Sequence, residues 1–300
     1  MAIGFSNIPA DIRVPLFYAE MDNSAANTAS SSMRRLIVAQ VNDNIAPADA
    51  GKLVLVSSVA LAKSIGGQGS MLASMYETFR KSDPVGEIWC LPLHNSEGSI
   101  AKGVLTLTGA ATQAGVLNLY VGGVRVQSSV VTGATAAQAA TALALKVNAT
   151  ADLPVSAVAA EGVVTLSAKW TGDSGNDISL QFNRLGKSNG EETPAGLVTA
   201  ITPMTGGVGV PDQIAAVAAL GDEPFEFIAL PWSDLSTLNT WQAVMDDSTG
   251  RWSWAKQLFG HVYSAKRGTV GTLVAAGQAR NDQHMTIQAL EPGVPQPVWV

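Results

Sequence analysis

A single cysteine, Cys90, stands among 300 residues, so no intrachain disulfide can form. It lies in the apolar run Ile88-Trp89-Cys90-Leu91 and reads as a small core residue, which fits synthesis in a reducing compartment. Charge is also scarce. Charged residues make up 14% of the chain against 47% hydrophobic, well under the roughly 25% charged of typical soluble domains. Such a surface is either covered by neighbouring subunits or is a neutral Ala/Gly/Ser/Thr-rich surface with no partner. Positive charge is scarcer still, with a formal net charge of −6. Affinity for nucleic acid comes mostly from Lys and Arg neutralising phosphates, so no direct nucleic-acid partner is expected. The basic pairs Arg34-Arg35 and Lys266-Arg267 flank apolar strands instead. No basic segment followed by an apolar one opens the chain, so no signal peptide is read. No apolar run approaches the roughly 18 residues of a membrane-spanning helix. The expected product is soluble, made in the cytoplasm, without a membrane partner.

Signatures of catalysis and cofactor binding are missing as well. Gly186-Lys187-Ser188 resembles the end of a phosphate-binding loop, but Gln181 stands where its first glycine belongs. Gly67-Gln68-Gly69 starts like a dinucleotide fingerprint and fails at Leu72, and Gly207-Val208-Gly209 fails at Asp212; the first reads as a break between two helices. The histidines His94, His261 and His284 are far apart in sequence and form no HxH or HxxxH pair. With one cysteine this leaves little for zinc. The adjacent carboxylates Glu191-Glu192 and Asp246-Asp247 read as solvated turns. No Gly-x-Ser-x-Gly elbow is present, although a serine triad assembles in space and not in sequence. No catalytic, cofactor-binding or metal-binding residue is assigned, and no cofactor is implied.

What is there is an alternation of short apolar strands and helices. Residues 1–32 read as an arm and linker: Arg13-Val14-Pro15-Leu16-Phe17-Tyr18-Ala19-Glu20 is β-prone, with a proline that suits an edge position, and Asn23 to Ser32 is a polar connection. Leu36 to Ala39 is a strand buried on both faces. Ser58 and Ser70 cap two helices, the first ending at Gly66-Gly67, the second carrying Met71, Leu72, Met75, Tyr76 and Phe79 until Pro84. Ile88 to Leu93 is another buried strand. The middle changes character. Val104 to Thr108 is a strand, and Val116–Val121 and Val124–Val131 form a hairpin around Gly122-Gly123. Thr135 with Gln138 fits a capping box for a helix to about Ala149. A second hairpin turns at Glu161-Gly162, and Ile178 to Phe182 adds a strand. After Gly206-Gly207-Val208-Gly209 the βα pattern returns. Pro211 suits the first turn of a helix whose stripe is Ile214, Val217, Ala218 and Leu220. Phe225–Leu230, Phe259–Ser264 and Met285–Ala289 read as strands. Between them, Ser236 caps a helix carrying Leu238, Trp241, Val244 and Met245, and Thr269–Ala279 forms another. Trp252 and Trp254 alternate and are expected on one side of an extended segment, as core packing or as a subunit contact.

The outer blocks, 33–97 plus 203–300, therefore read as one discontinuous α/β core, interrupted by a small β-rich insertion at 98–202.

The opening also resembles the Mu-like phage tail sheath family. The carrying residues are Phe5-Ser6-Asn7-Ile8-Pro9-Ala10-Asp11-Ile12-Arg13-Val14-Pro15-Leu16 with Glu20-Met21-Asp22-Asn23-Ser24. A looser block is Gly67-Gln68-Gly69-Ser70-Met71-Leu72 with Phe79 and Glu87 to Leu93. The resemblance implies a subtilisin-like α/β sheath core without protease residues. It implies a structural subunit of a contractile tail in the virion, a helical assembly that contracts to drive the tube through the host envelope for genome ejection. Implied partners are other sheath subunits, the tail tube protein, and baseplate and tail terminator proteins. Terminal arms of the family add strands to neighbouring sheets. Phe5, Ile8, Arg13, Val14, Leu16 and Tyr18 are thus candidate subunit-interface residues, against the alternative that the arm folds back on its own subunit. Sheath proteins of this kind are longer, so the core is expected to be incomplete at its C-terminus. Two other classes stay open: an α/β hydrolase-like enzyme, and a binding module using the β-rich insertion, whose only Trp and Tyr are Trp170 and Tyr120.

Overall fold

A computed structural model describes residues 33–46 and 50–290. The first block supplies β1 (Arg35–Gln40), β2 (Val54–Leu55), α1 (Val59–Gly66), α2 (Met71–Ser82) and β3 (Ile88–Leu93). β1 is buried from Leu36 through Gln40, as its unbroken apolar run requires of a strand covered on both faces. α2 packs on β1 and turns Met71, Leu72, Met75 and Tyr76 into the core. Both serine caps form: Ser58 accepts from the Leu61 N–H at 3.2 Å and Ser70 from the Ala73 N–H at 3.1 Å, satisfying amides the helices leave unpaired. Gly67 ends α1 at φ 91°; a Cβ there would run into the Asn42 side-chain amide, so both the turn and the packing select glycine.

The middle block is β4 (Ile100–Gly109), β5 (Gly115–Val121), β6 (Val124–Val130), α3 (Ala136–Ala149), β7 (Val155–Ala160), β8 (Val163–Thr171), β9 (Leu180–Phe182) and β10 (Leu197–Thr205). It makes two antiparallel sheets, ordered β10-β4-β8-β7 and β6-β5-β9. The capping box at Thr135 and Gln138 is complete. α3 sets Ala140, Leu143 and Val147 against both sheets. β10 is a strand that periodicity missed. It pairs with β4, Ile201 opposite Leu105, and its register slips between Thr202 and Thr205, where Pro203 sits. A proline lacks the N–H a ladder needs and is accommodated at an edge bulge of this kind.

The chain then returns with α4 (Gln213–Leu220), β11 (Phe227–Leu230), α5 (Leu235–Val244), β12 (His261–Arg267), α6 (Val270–Gln278) and β13 (Met285–Leu290). With β1 to β3 these complete a six-stranded sheet ordered β13-β12-β11-β1-β3-β2. Its pairings are parallel except β2 on β3. Two expectations of detail are corrected here. Pro211 lies outside α4, which is capped by Asp212, and the helix turns Gln213, Ala216 and Leu220 inward while Ile214 faces solvent. The reason is polar: the buried Trp241 indole donates to Gln213 Oε1 at 3.0 Å, which fixes the rotation of the helix. Asp234, not Ser236, caps α5, accepting from the Thr237 N–H at 2.9 Å.

The β-rich block is tied to the C-terminal ends of β1 and β3. The Asp43 carboxylate takes both the N–H and the hydroxyl of Thr171, at 3.0 and 2.7 Å. Asn95 donates to the Thr171 carbonyl at 3.2 Å. Lys169 adds a tie to the turn between α1 and α2, donating to the Gln68 carbonyl at 3.0 Å, and bonds Ala151 within its own block at 2.7 Å.

Candidate assembly surface

Phe5, Ile8, Arg13, Val14, Leu16 and Tyr18, the residues expected to join subunits, lie outside the described residues. Two features stand out on the described surface.

The first is the open edge of the six-stranded sheet. Among the described residues β13 is bonded to β12 alone, and a strand edge of this kind can take an incoming strand through its backbone donors and acceptors. Beside it runs α6, which has no buried residue, no charged residue, and exposed Val270 and Val274. An apolar groove of about 200 Å³ runs between the helices and the sheet, lined by Leu235, Leu238, Leu273, Ala276, Ile287 and Ala289. An uncharged helix with nothing buried is unusual for a surface facing only water.

The second is a polar cleft of about 100 Å³ outside the C-terminal ends of β11 and β12, next to the point where strand order reverses on either side of β1. Open parallel sheets characteristically bind ligands there. Asp173, Ser174 and Asp177 reach it from a turn of the β-rich block, Trp232 and Asp234 from the segment after β11, and Arg267 from the end of β12. Arg267 donates to the Asp177 carbonyl at 2.9 Å. Burial pushes the Asp177 carboxyl upward against the pull of Arg267. Burial, then the charge of Asp234, does the same to Asp173.

The residues weighed for chemistry fall differently from their sequence positions. Val262 pairs with Met285, which brings His261 and His284 abreast although sequence reading set them apart. His261 Nε2 meets the Thr286 hydroxyl at 2.8 Å, and His284 Nε2 meets Asp247 at 2.8 Å. Burial, and then the neighbouring His284, hold the His261 ring below its ordinary pKa, against the pull of Asp282. Neither ring is hydrogen-bonded to a serine or cysteine among the described residues. Trp252 and Trp254 do not share an extended face, because the chain turns through them. Trp252 stacks on His284 at 4.1 Å and donates to the Gly260 carbonyl at 2.8 Å, while Trp254 is 84% exposed. Glu191 is buried, not solvated: it accepts from the Tyr120 hydroxyl at 2.5 Å and the Leu185 N–H at 2.9 Å, with Arg125 at 3.3 Å. Lys187 pairs with Glu192 at 2.9 Å. The Gln68 carbonyl, between α1 and α2, accepts from Asn42 and Lys169, each at 3.0 Å. Cys90 is buried, and that burial, opposed by Arg80, pushes its thiol up to about 12, so it is inert.

Residues 206–299, the linker with α4 to α6 and β11 to β13, match the family model described as the phage tail sheath protein central domain. The whole chain is 35% identical over 302 aligned positions to the Mu-like prophage FluMu tail sheath protein of Haemophilus influenzae. The chain is thus similar to phage tail sheath proteins of the Mu-like kind. It spans 61% of the length of that relative. Two solved sheath tail proteins are also similar. That of Desulfitobacterium hafniense is 14% identical with a TM-score of 0.35, covering 91% of this chain and 55% of its own. That of Listeria innocua is 12% identical with a TM-score of 0.29, covering 80% and 48%. The likeness is carried by sequence, over the N-terminal block that first suggested the family and over the later α/β block alike. Among the described residues no helix is long and apolar enough to cross a membrane.

Proposed function

We propose that this chain is a structural subunit of a contractile phage tail, polymerising helically around the tail tube and contracting to drive the tube through the host envelope. The observation that carries this is full-chain identity of 35% to a tail sheath protein. The β13 edge, unpaired among the described residues, the uncharged α6 and the exposed Trp254 support it physically, because each is a surface that association would cover. In this reading residues 33–97 plus 203–300 are the sheath core, of the subtilisin-like type. Residues 98–202 are an inserted unit, and residues 1–32 an arm that pairs with an open sheet edge of a neighbour. The partners are other sheath subunits, the tail tube, and the baseplate and terminator proteins, and the protein catalyses no reaction. It is assembled in the host cytoplasm and resides in the virion tail.

The test is immunogold electron microscopy with antibodies raised against the chain. Label should line the tail of intact particles along its length and crowd into the shortened collar after contraction. Label confined to the capsid, or free of the particle altogether, would overturn the reading.

A further inference from the structure

We infer that the acidic cleft beyond β11 and β12 is the seat of Arg13 from the arm of a second copy of this chain. The inference rests on the reading above, in which arms link subunits, and adds the place and the anchoring residue.

The cleft is a ready receptor for a guanidinium attached to a peptide. Asp173, Asp177 and Asp234 bring three carboxylates, and Arg267 returns one positive charge, bonded to Asp177. Two buried groups there have no partner among the described residues. One is Asp234 Oδ1, an acceptor; the other is the indole N–H of Trp232, whose residue is only 3% exposed. A buried polar atom left unpaired costs free energy, so the cleft calls for an occupant carrying both a donor and an acceptor. A bare metal ion supplies no acceptor, and among the described residues no group of side chains is arranged to hold one. An arginine within an extended peptide supplies both: guanidinium N–H groups for the carboxylates and a backbone carbonyl for the indole. Burial, and for Asp173 also the charge of Asp234, already work against the charged forms of Asp173 and Asp177, and an entering cation relieves this.

The sequence narrows the occupant. Among residues 1–32 and 291–300, Arg13 is the only Lys or Arg. It stands in Asp11-Ile12-Arg13-Val14-Pro15, at the head of the β-prone stretch. Fully extended, the chain from Arg13 to Met33 spans up to roughly 66 Å, more than the breadth of about 50 Å expected of a compact 300-residue subunit. An arm of that reach can cross to the far side of a neighbour.

Paired cysteines decide it. One preparation carries Val14→Cys and another Ser233→Cys, at the cleft wall; the native Cys90 is buried and does not compete. Mixed under mild oxidation, the two should give a disulfide-linked heterodimer that neither gives alone. Adding Arg13→Gln to the Val14→Cys chain should slow linkage at least tenfold, and Arg13→Lys should restore part of it. Asp177→Asn on the Ser233→Cys chain is the matching loss from the cleft side, with thermal melts confirming that each variant is folded. A third preparation, Thr286→Cys on the β13 edge, separates the two levels of the argument. Linkage to Thr286→Cys but not to Ser233→Cys keeps the linking arm and overturns this seat. Linkage to neither overturns both and leaves the cleft filled with solvent only. Linkage to Ser233→Cys that ignores the residue at position 13 also overturns the role of Arg13. So does an intrachain bond, without dimer, when both cysteines are placed in one chain.

Discussion

At the scale of single residues, the packed interior is organised by a few buried polar groups that must find partners. The Trp241 indole is fully buried and its N–H depends on Gln213, which in turn donates to the Pro211 carbonyl at 2.9 Å. Gln213→Ala should therefore destabilise the fold by about 1–3 kcal/mol, the cost of leaving a buried donor unpaired. Adding Trp241→Phe to Gln213→Ala should cost less than the two single changes summed, because the phenyl ring has no donor to strand. Urea titration of the four proteins in the cycle measures this. Glu191 makes a pH-dependent case. Burial raises its carboxyl, but the Tyr120 hydroxyl, the Leu185 N–H and Arg125 outweigh burial and hold it below the ordinary glutamate value. A depressed folded pKa contributes stability that is present above the unfolded value, near 4.5, and is lost as pH falls through the lower folded one. Amides of the loop from Asn183 to Thr193 should accordingly lose hydrogen-exchange protection on acidification below that point. In Glu191→Gln the acid-induced loss should vanish, leaving protection low at every pH.

At the scale of elements, turn chemistry gives the cleanest test. The β7–β8 hairpin turns through Glu161 at φ 47° and Gly162 at φ 87°. Positive φ suits the glycine and strains the glutamate, since a left-handed conformation costs an ordinary L-residue roughly 1–2 kcal/mol. Asn-Gly is the preferred pair for such a turn. Glu161→Asn should raise stability by about 1 kcal/mol at most, read as a shift of the thermal midpoint with no change in the sheet's circular dichroism. The elements that could be read from sequence were those whose cause is local. The apolar runs of β1 and β3, the caps at Ser58, Ser70 and Thr135, and the Gly-Gly and Glu-Gly turns all act within a few residues. What escaped has its cause across the fold. β10 is half exposed and interrupted by Pro203, and only its pairing with β4 makes it a strand. The rotation of α4 follows from Trp241, more than twenty residues away. His261 and His284 come together only through the β12–β13 register. The acidic cleft joins residues of the β-rich block to the ends of β11 and β12, and no short sequence window contains that assembly.

At the scale of the whole molecule, the low charge visible in the sequence is concentrated where a surface would most need explaining. α6 buries nothing and carries no charge; its Val270 and Val274 are 62% and 51% exposed. The helix flanks an apolar groove and a sheet edge that is unpaired among the described residues. Stability of the lone subunit gives no reason for valine at these positions, because lysine is the better helix former and an exposed site tolerates it. Val274→Lys should therefore leave the melting of the isolated protein unchanged, within about 0.5 kcal/mol. If the face is covered by a neighbouring subunit, the same change buries an ammonium without a partner, a cost that association cannot absorb. Under conditions in which the unmodified chain builds sheaths, the variant should stay dispersed in sedimentation and show no tubes in electron micrographs. Normal tubes from Val274→Lys would place α6 on the free outer surface of the sheath. A large fall in melting temperature would instead mean that the valine packs within its own subunit. Dispersal with an unchanged melt is the outcome that separates an assembly surface from a folding core, since a folding defect cannot spare the isolated protein.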